Sequence, residues 1–249
     1  MSLNSTEGQI RLYSKNLKIP TFASYNEILR QMAPESKFED LLLELMKSES
    51  LQRQENKSKR RLKAANFPFH KTLDELDVER YSESITRIFI NELATCKFID
   101  EKKNIVMIGN PGRGKTHLAI SLGLIACSLG LSVLFKNAAT LSTELAEARD
   151  SYTLGRLEKR IQKVDLLILD ELSYISFNRH HSELLFKIIS DRSERGSVIV
   201  TTNLPFSQWT QLFENTTMVA ALVDRLTFKS YVLNMNGESY RLEQTMKFR

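Results

Sequence analysis

Eight consecutive residues, Gly109-Asn110-Pro111-Gly112-Arg113-Gly114-Lys115-Thr116, have the types and spacing to hold a nucleoside triphosphate. They match the phosphate-loop pattern G-x-x-x-x-G-K-[ST] at every fixed position. Glycines let backbone N–H groups turn toward phosphate oxygens, and a following helix adds the positive end of its dipole. Lys115 is expected to reach the terminal phosphates of ATP, and Thr116 to put its hydroxyl on Mg²⁺. His117, next in the chain, is grouped with the ATP contacts.

A second set of residues could complete a hydrolytic site. The apolar run Leu166-Leu167-Ile168-Leu169 ends in Asp170-Glu171. Asp170 is the expected Mg²⁺ holder, mainly through water. Glu171 is the expected group that orients or deprotonates the attacking water. The pair favours hydrolysis, because a small-molecule kinase needs no second carboxylate for water. Asn203 ends another apolar run, from Val198, and is placed to meet the γ-phosphate or the water. Arg225 is the candidate arginine finger, a guanidinium that stabilises transition-state charge. It lies far along the sequence from the other parts, which fits delivery from a neighbouring subunit. Arg241, in Gly-Glu-Ser-Tyr-Arg, is a second candidate phosphate sensor.

Elements must bring these residues together. Strands are predicted at Ile105–Ile108, Ser132–Lys136, Val164–Asp170, Val198–Asn203 and Ser230–Asn234. Helices are predicted between them at Thr116–Leu129, Ala138–Arg149, Leu154–Lys163, His181–Glu194 and Thr217–Phe228. Apolar strands alternating with helices predict an α/β fold: a parallel sheet of five strands covered on both faces. In such sheets ligands bind beyond the carboxyl ends of the strands, where the phosphate loop, Asp170 and Asn203 all fall. Leu118 to Phe135 carries no charged residue and is about as long as a membrane span. Gly123, Gly130 and its place behind the phosphate loop argue for a helix, a turn and a buried strand instead.

The preceding residues read differently. Residues 5 to 66 have helical spacing, with Tyr25 to Met32, Phe38 to Met46 and Leu51 to Ala65 as separate helices. Asn66-Phe-Pro-Phe69 breaks the pattern, so the domains are expected at 1–66, helical, and 67–249, the nucleotide-binding core. Ser82 to Phe98 is predicted as one further amphipathic helix. Arg53, Lys57, Arg60 and Arg61 would share one helix face, with Lys59 in the same basic run. These five, with Lys136 and Arg149, are the candidate contacts to duplex DNA, tracking phosphates with little base readout. A solvated helix face is the plain alternative.

Lys and Arg number 35 against 30 Asp and Glu, a net charge of +5 that favours an acidic partner without proving one. Hydrophobic residues make up 42%, enough for a real core. Cys96 and Cys127 lie in apolar stretches without metal-type spacing, and Met1 to Gln9 is polar, so a cytoplasmic protein with free thiols is expected. His180 and His181 have no accompanying metal set and read as a polar helix start.

Gly109–Thr116, Leu166–Glu171, Thr201–Asn203, Asp224-Arg225-Leu226 and Ser239-Tyr240-Arg241 together resemble the AAA+ ATPases, in the branch of DnaC-type helicase loaders and IstB-type transposition helpers. The stretch Arg60 to Leu73, with Phe67, Lys71, Thr72 and Leu73 at matching positions, is similar to the IstB joint between N-terminal helices and core. Glu171-Leu-Ser-Tyr174 is similar to the family's Asp-Glu-Leu-Gly-Tyr run, with Ser173 in place of a usual glycine. The resemblance implies the short AAA+ form without a full helical lid. It implies an ATP-dependent DNA-binding protein of an insertion sequence, which prepares target DNA and recruits an IstA-type partner transposase. If Arg225 acts in trans, ATP would hold subunits in a spiral homo-oligomer. The alternative within the same branch is a DnaC-like replicative helicase loader.

Overall fold

The computed structural model describes residues 5–81, 84–172, 179–213, 215–240, 243 and 245. Contacts divide the chain into two compact units, Met1–Arg60 and Arg61–Arg249.

The first unit is helical. It holds α1 (Thr6–Asn16), α2 (Tyr25–Leu29) and most of α3 (Phe38–Ala65). Ser5 caps α1 by accepting from the Gly8 N–H. Glu49, buried on α3, accepts from the Thr21 hydroxyl at 2.6 Å and from Arg53 Nε at 2.7 Å. Where two helices are predicted between Phe38 and Ala65, one runs without interruption. Lys47-Ser-Glu-Ser50 contains no glycine or proline to stop it.

The second unit opens with α4 (Arg87–Ala94) and α5 (Lys97–Asp100). The single helix predicted to Phe98 is broken because Cys96 takes a left-handed conformation, φ 56°. Then come β1 (Asn104–Ile108), α6 (Lys115–Ser128), β2 (Val133–Asn137), α7 (Ala138–Asp150), α8 (Leu154–Lys163) and β3 (Leu166–Asp170). Next are α9 (Arg179–Arg195), β4 (Ser197–Thr202), α10 (Thr210–Phe213), α11 (Thr216–Thr227) and β5 (Ser230–Asn234). The strands form one parallel sheet in the order β2-β3-β4-β1-β5.

Alternation along the strands builds two cores. Ile105, Met107, Leu166 and Ile168 face the layer holding α4, α5 and α6. Val106, Leu167, Leu169 and Val200 face the layer holding α7, α9 and α11, with Trp209 and Phe213. Both faces are buried, so the strands read as unbroken apolar runs. Each fully buried side chain of this size contributes about 1.5–3 kcal/mol. Exposed ion pairs such as Lys47–Glu44 contribute about 0–1 kcal/mol, so the double core holds the fold. The register sets Asn137 opposite Asp170, bringing a strand end from β2 beside the acidic end of β3. Among the described residues no helix is long and apolar enough to cross a membrane. The uncharged run from Leu118 is α6, a turn at Gly130 and β2.

Candidate functional site

The phosphate loop leaves the carboxyl end of β1 and enters α6. Two of its glycines are required by space. A Cβ on Gly109 would come within 2.4 Å of the Met235 backbone. Gly114 caps α6 with φ 83°, and a Cβ there would meet the Tyr81 hydroxyl at 2.6 Å. The first N–H groups of α6 therefore open onto the loop.

Lys115 is 7% exposed. Its ammonium donates to Gly109 O at 2.6 Å, Asn110 O at 2.9 Å and Asn203 Oδ1 at 2.6 Å. The charge is thus fixed at the mouth of the loop with Asn203 beside it. Thr116 Oγ1 donates to Asp170 Oδ1 at 2.9 Å, and Thr201 Oγ1 donates to the same oxygen at 2.5 Å. Burial pushes the Asp170 carboxyl above its usual range, against the opposing pull of these hydroxyls and of Lys115. A buried carboxylate and a hydroxyl in hydrogen-bond contact are hard oxygen donors, the set that suits Mg²⁺ shared with phosphates.

Glu171 is held in an unusual way. Its φ is 59°, a region that costs a non-glycine residue energy and recurs at functional sites. Its N–H donates to Thr201 Oγ1 at 2.9 Å, the same hydroxyl that serves Asp170. Its carboxylate accepts from Asn137 Nδ2 at 2.9 Å. Asn137 in turn caps α7, its Oδ1 accepting from the Ala139 N–H at 3.0 Å. The cap fixes the amide, and the amide aims the carboxylate.

Beside the loop lies a cavity of about 340 Å³. Its walls include Phe69, Leu76, Asp77, Tyr81 and Tyr240 together with Gly112 to His117, Glu171 and Asn203. The joint closes one side. His117 Nε2 lies 2.7 Å from Thr72 O, Ser121 Oγ donates to Lys71 O at 2.9 Å, and the Phe67 ring fills the space left by Gly123. The segment after β5 closes the other. Asn110 Nδ2 donates to Gly237 O at 3.2 Å, and the Tyr240 N–H to Gly112 O at 3.2 Å.

Arg113 is a clasp. It is buried, stacked over Tyr81, and its guanidinium donates to Glu238 O at 2.9 Å and to Arg80 O. Tyr81 donates to Arg113 O at 3.0 Å, and burial pushes its hydroxyl up to about 12. Asn137, Tyr81 and the clasping role of Arg113 were not visible in the sequence pattern. An asparagine between strand and helix is the one signal that marks Asn137, as a helix cap.

The remaining candidates lie elsewhere. Arg225 sits in the last turn of α11, where Leu226 O accepts from Asn104 Nδ2 at the start of β1. The loop leaves the other end of that strand, about 13 Å on at 3.3 Å per residue. Arg225 Nε pairs with Glu194 at 3.2 Å, lies over the Phe186 ring and is 41% exposed. It does not join its own chain's phosphate site. Arg241, Ser173 and Tyr174 lie outside the described residues.

The basic face on α3 divides. Arg53 is taken by Glu49 and Lys18 O, and Arg61 donates to Cys127 O at 3.1 Å. Lys57, Lys59 and Arg60 are exposed. Lys136 is 11% exposed and paired with Glu144, so its place argues for a structural ion pair rather than a DNA contact. Arg149 Nη1 lies 3.3 Å from His180 Nδ1 near the start of α9.

Fold and site together define an AAA+ nucleotide-binding protein. The model of the IstB-like ATP binding proteins matches residues 13–248, and the chain belongs to that family. A Pseudomonas aeruginosa relative, named as an ATP-binding protein of insertion sequence IS21, is 33% identical over 96% of this chain and 91% of its own. A Geobacillus stearothermophilus relative, named for insertion sequence IS5376, is 32% identical over 95% and 94%. The DnaC helicase loader structure matches at TM-score 0.52 and 23% identity over 71% of this chain and 98% of that one, a likeness of fold.

Proposed function

We propose that this protein hydrolyses ATP and uses the cycle to assemble on duplex DNA for an insertion-sequence transposase. The hydrolytic reading is carried by Glu171. Its carboxylate is aimed by Asn137 and lies in the same pocket as Lys115 and Thr116, next in sequence to Asp170. Lys115 offers fixed positive charge to the terminal phosphates, and the α6 N-terminus offers its N–H groups. Thr116 and Asp170 would hold Mg²⁺, which supplies charge neutralisation on phosphate oxygens. Glu171 accepts a proton from water as that water attacks the γ-phosphorus, and the bond to the ADP oxygen breaks. Asn203, bonded to Lys115, keeps the ammonium oriented.

Arg225 stands at the wrong end of the sheet for its own site, which supports a role on a neighbour's γ-phosphate. ATP would then hold subunits together in a spiral, and hydrolysis would loosen them. The relatives' association with insertion sequences supports DNA as template and a transposase as partner. Replacing Glu171→Gln should lower turnover about 10²–10⁴-fold and leave persistent ATP-bound assemblies on DNA. ATPase assays and electron microscopy with duplex DNA test this. A Glu171→Gln protein that turns over ATP normally sinks the assignment, and capture of a hexameric helicase instead of a transposase points to the loader.

A further inference from the structure

Outside the nucleotide pocket, one helix presents four exposed cations together. Helix α8 has a divided circumference. Leu154, Leu157 and Ile161 turn into the core beside α7 and α9. Arg156, Lys159, Arg160 and Lys163 are all exposed. At about 100° per residue these four fall within an arc of about 100°, on a row about 10 Å long. The helix has one acid, Glu158, and Lys187 of α9 neutralises it at 2.6 Å. None of the four cations has an ion pair among the described residues, unlike Lys136, Arg53 and Arg225. They border a shallow groove completed by Ser132, Gly155 and Val164.

We propose that this face of α8 is a contact for the phosphate backbone of duplex DNA. The proposal rests on the DNA-binding reading above and adds where on the core the duplex is held. Charge spacing favours it. B-form DNA carries about one negative charge per 1.7 Å of axis, so a row of about 10 Å spans about six charges. A protein partner fits poorly, because such interfaces centre on apolar and aromatic anchors, and the groove offers only Val164. A membrane surface fits poorly too. Interfacial helices bury an apolar face in lipid, and the apolar face of α8 is already spent on the core. No side chain here needs to read a base, so the contact is indifferent to sequence.

The test uses the full chain with Mg²⁺ and a non-hydrolysable ATP analogue. Binding to a fluorescent random-sequence duplex is measured across a salt series. The variant carries Arg156→Gln, Lys159→Gln, Arg160→Gln and Lys163→Gln, changes that keep helix propensity. A control removes three exposed lysines elsewhere, Lys97→Gln, Lys102→Gln and Lys229→Gln. The slope of log affinity against log salt should fall by about 3 to 4 in the variant, with affinity down more than about tenfold at 100 mM salt. Control slope and analogue affinity should match wild type. If wild type binds no duplex, the DNA-binding reading fails and this inference with it. If wild type binds and the variant keeps its slope, the DNA reading stands and the α8 contact is overturned. Lost retention on phosphatidylserine vesicles with an unchanged DNA slope would likewise overturn it, in favour of lipid. Should the fourfold variant misfold, Arg156→Gln with Lys163→Gln should still flatten the slope by about 1.5 to 2, and an unchanged slope overturns the proposal.

Discussion

The carboxyl ends of the five strands and their amino ends follow different rules. At the carboxyl ends, charge is spoken for, and Lys115 and Asp170 are buried while Glu171 is exposed. Lys115 donates to the Gly109, Asn110 and Asn203 oxygens, Asp170 accepts from the Thr116 and Thr201 hydroxyls, and Glu171 has an amide whose own position is capped. At the amino ends, Arg192 is buried against the Gln162, Asp165 and Ser197 carbonyls, but other charge is exposed and loosely held. Arg225 has a half-open pair with Glu194, and α8 shows four cations to solvent. Preorganised charge suits chemistry on a small ligand. Exposed, lightly held charge suits contact with another macromolecule, since little must be broken to make it. One chain thus carries a pocket at one end of its sheet and the groups that could meet other molecules at the other.

That contrast can be broken by substitution. The largest effect should come from the exposed end. Arg225→Ala is expected to cut ATP turnover about 10³–10⁵-fold in the assembled state while ATP affinity of isolated subunits is kept. Steady-state turnover beside equilibrium binding of a fluorescent ATP analogue checks both halves. A matching loss of affinity would place Arg225 in its own chain's site. A smaller effect is expected from Asn137→Ala. Loss of one charge-assisted hydrogen bond, about 1.5–3 kcal/mol, should slow turnover by about 10- to 10²-fold, with nucleotide affinity unchanged. Unaltered turnover would show that Glu171 needs no aiming.

The smallest effect concerns pH. Burial raises Tyr81 to about 12, and Cys96 and Cys127 to about 11. All three keep their protons longer folded than unfolded. Their contribution to stability is whole below about pH 9 and is lost as pH climbs through 11 to 12. Melting temperature should therefore fall steeply above pH 9, and Tyr81→Phe, with no proton to lose, should flatten the upper part of that fall. An equal fall in Tyr81→Phe would contradict the buried hydroxyl.

Most of the sheet was legible because parallel strands buried on both faces are written as apolar runs. Each strand and helix predicted from Ile105 onward has both ends within two residues of those observed. The phosphate loop and Asp170-Glu171 were legible because local spacing alone defines them. Asn137 was not, because its use depends on the β2–β3 register, which sets it opposite Asp170. The clasp of Arg113 on Glu238 joins residues 125 apart in sequence, beyond the reach of any motif. The basic run on α3 read as one face, but Arg53 and Arg61 each found partners within the chain. α8 is the converse case: its periodicity was plain, and the exposure of its four cations, without ion pairs among the described residues, gave it meaning.

The central claim is that a working site needs two subunits. It is tested most directly by mixing Lys115→Ala protein with Arg225→Ala protein on duplex DNA and measuring ATP turnover. Each alone should be inactive, and the mixture should regain a substantial fraction of wild-type activity, because an intact loop then meets an intact Arg225. A mixture no more active than its parts would contradict the shared site.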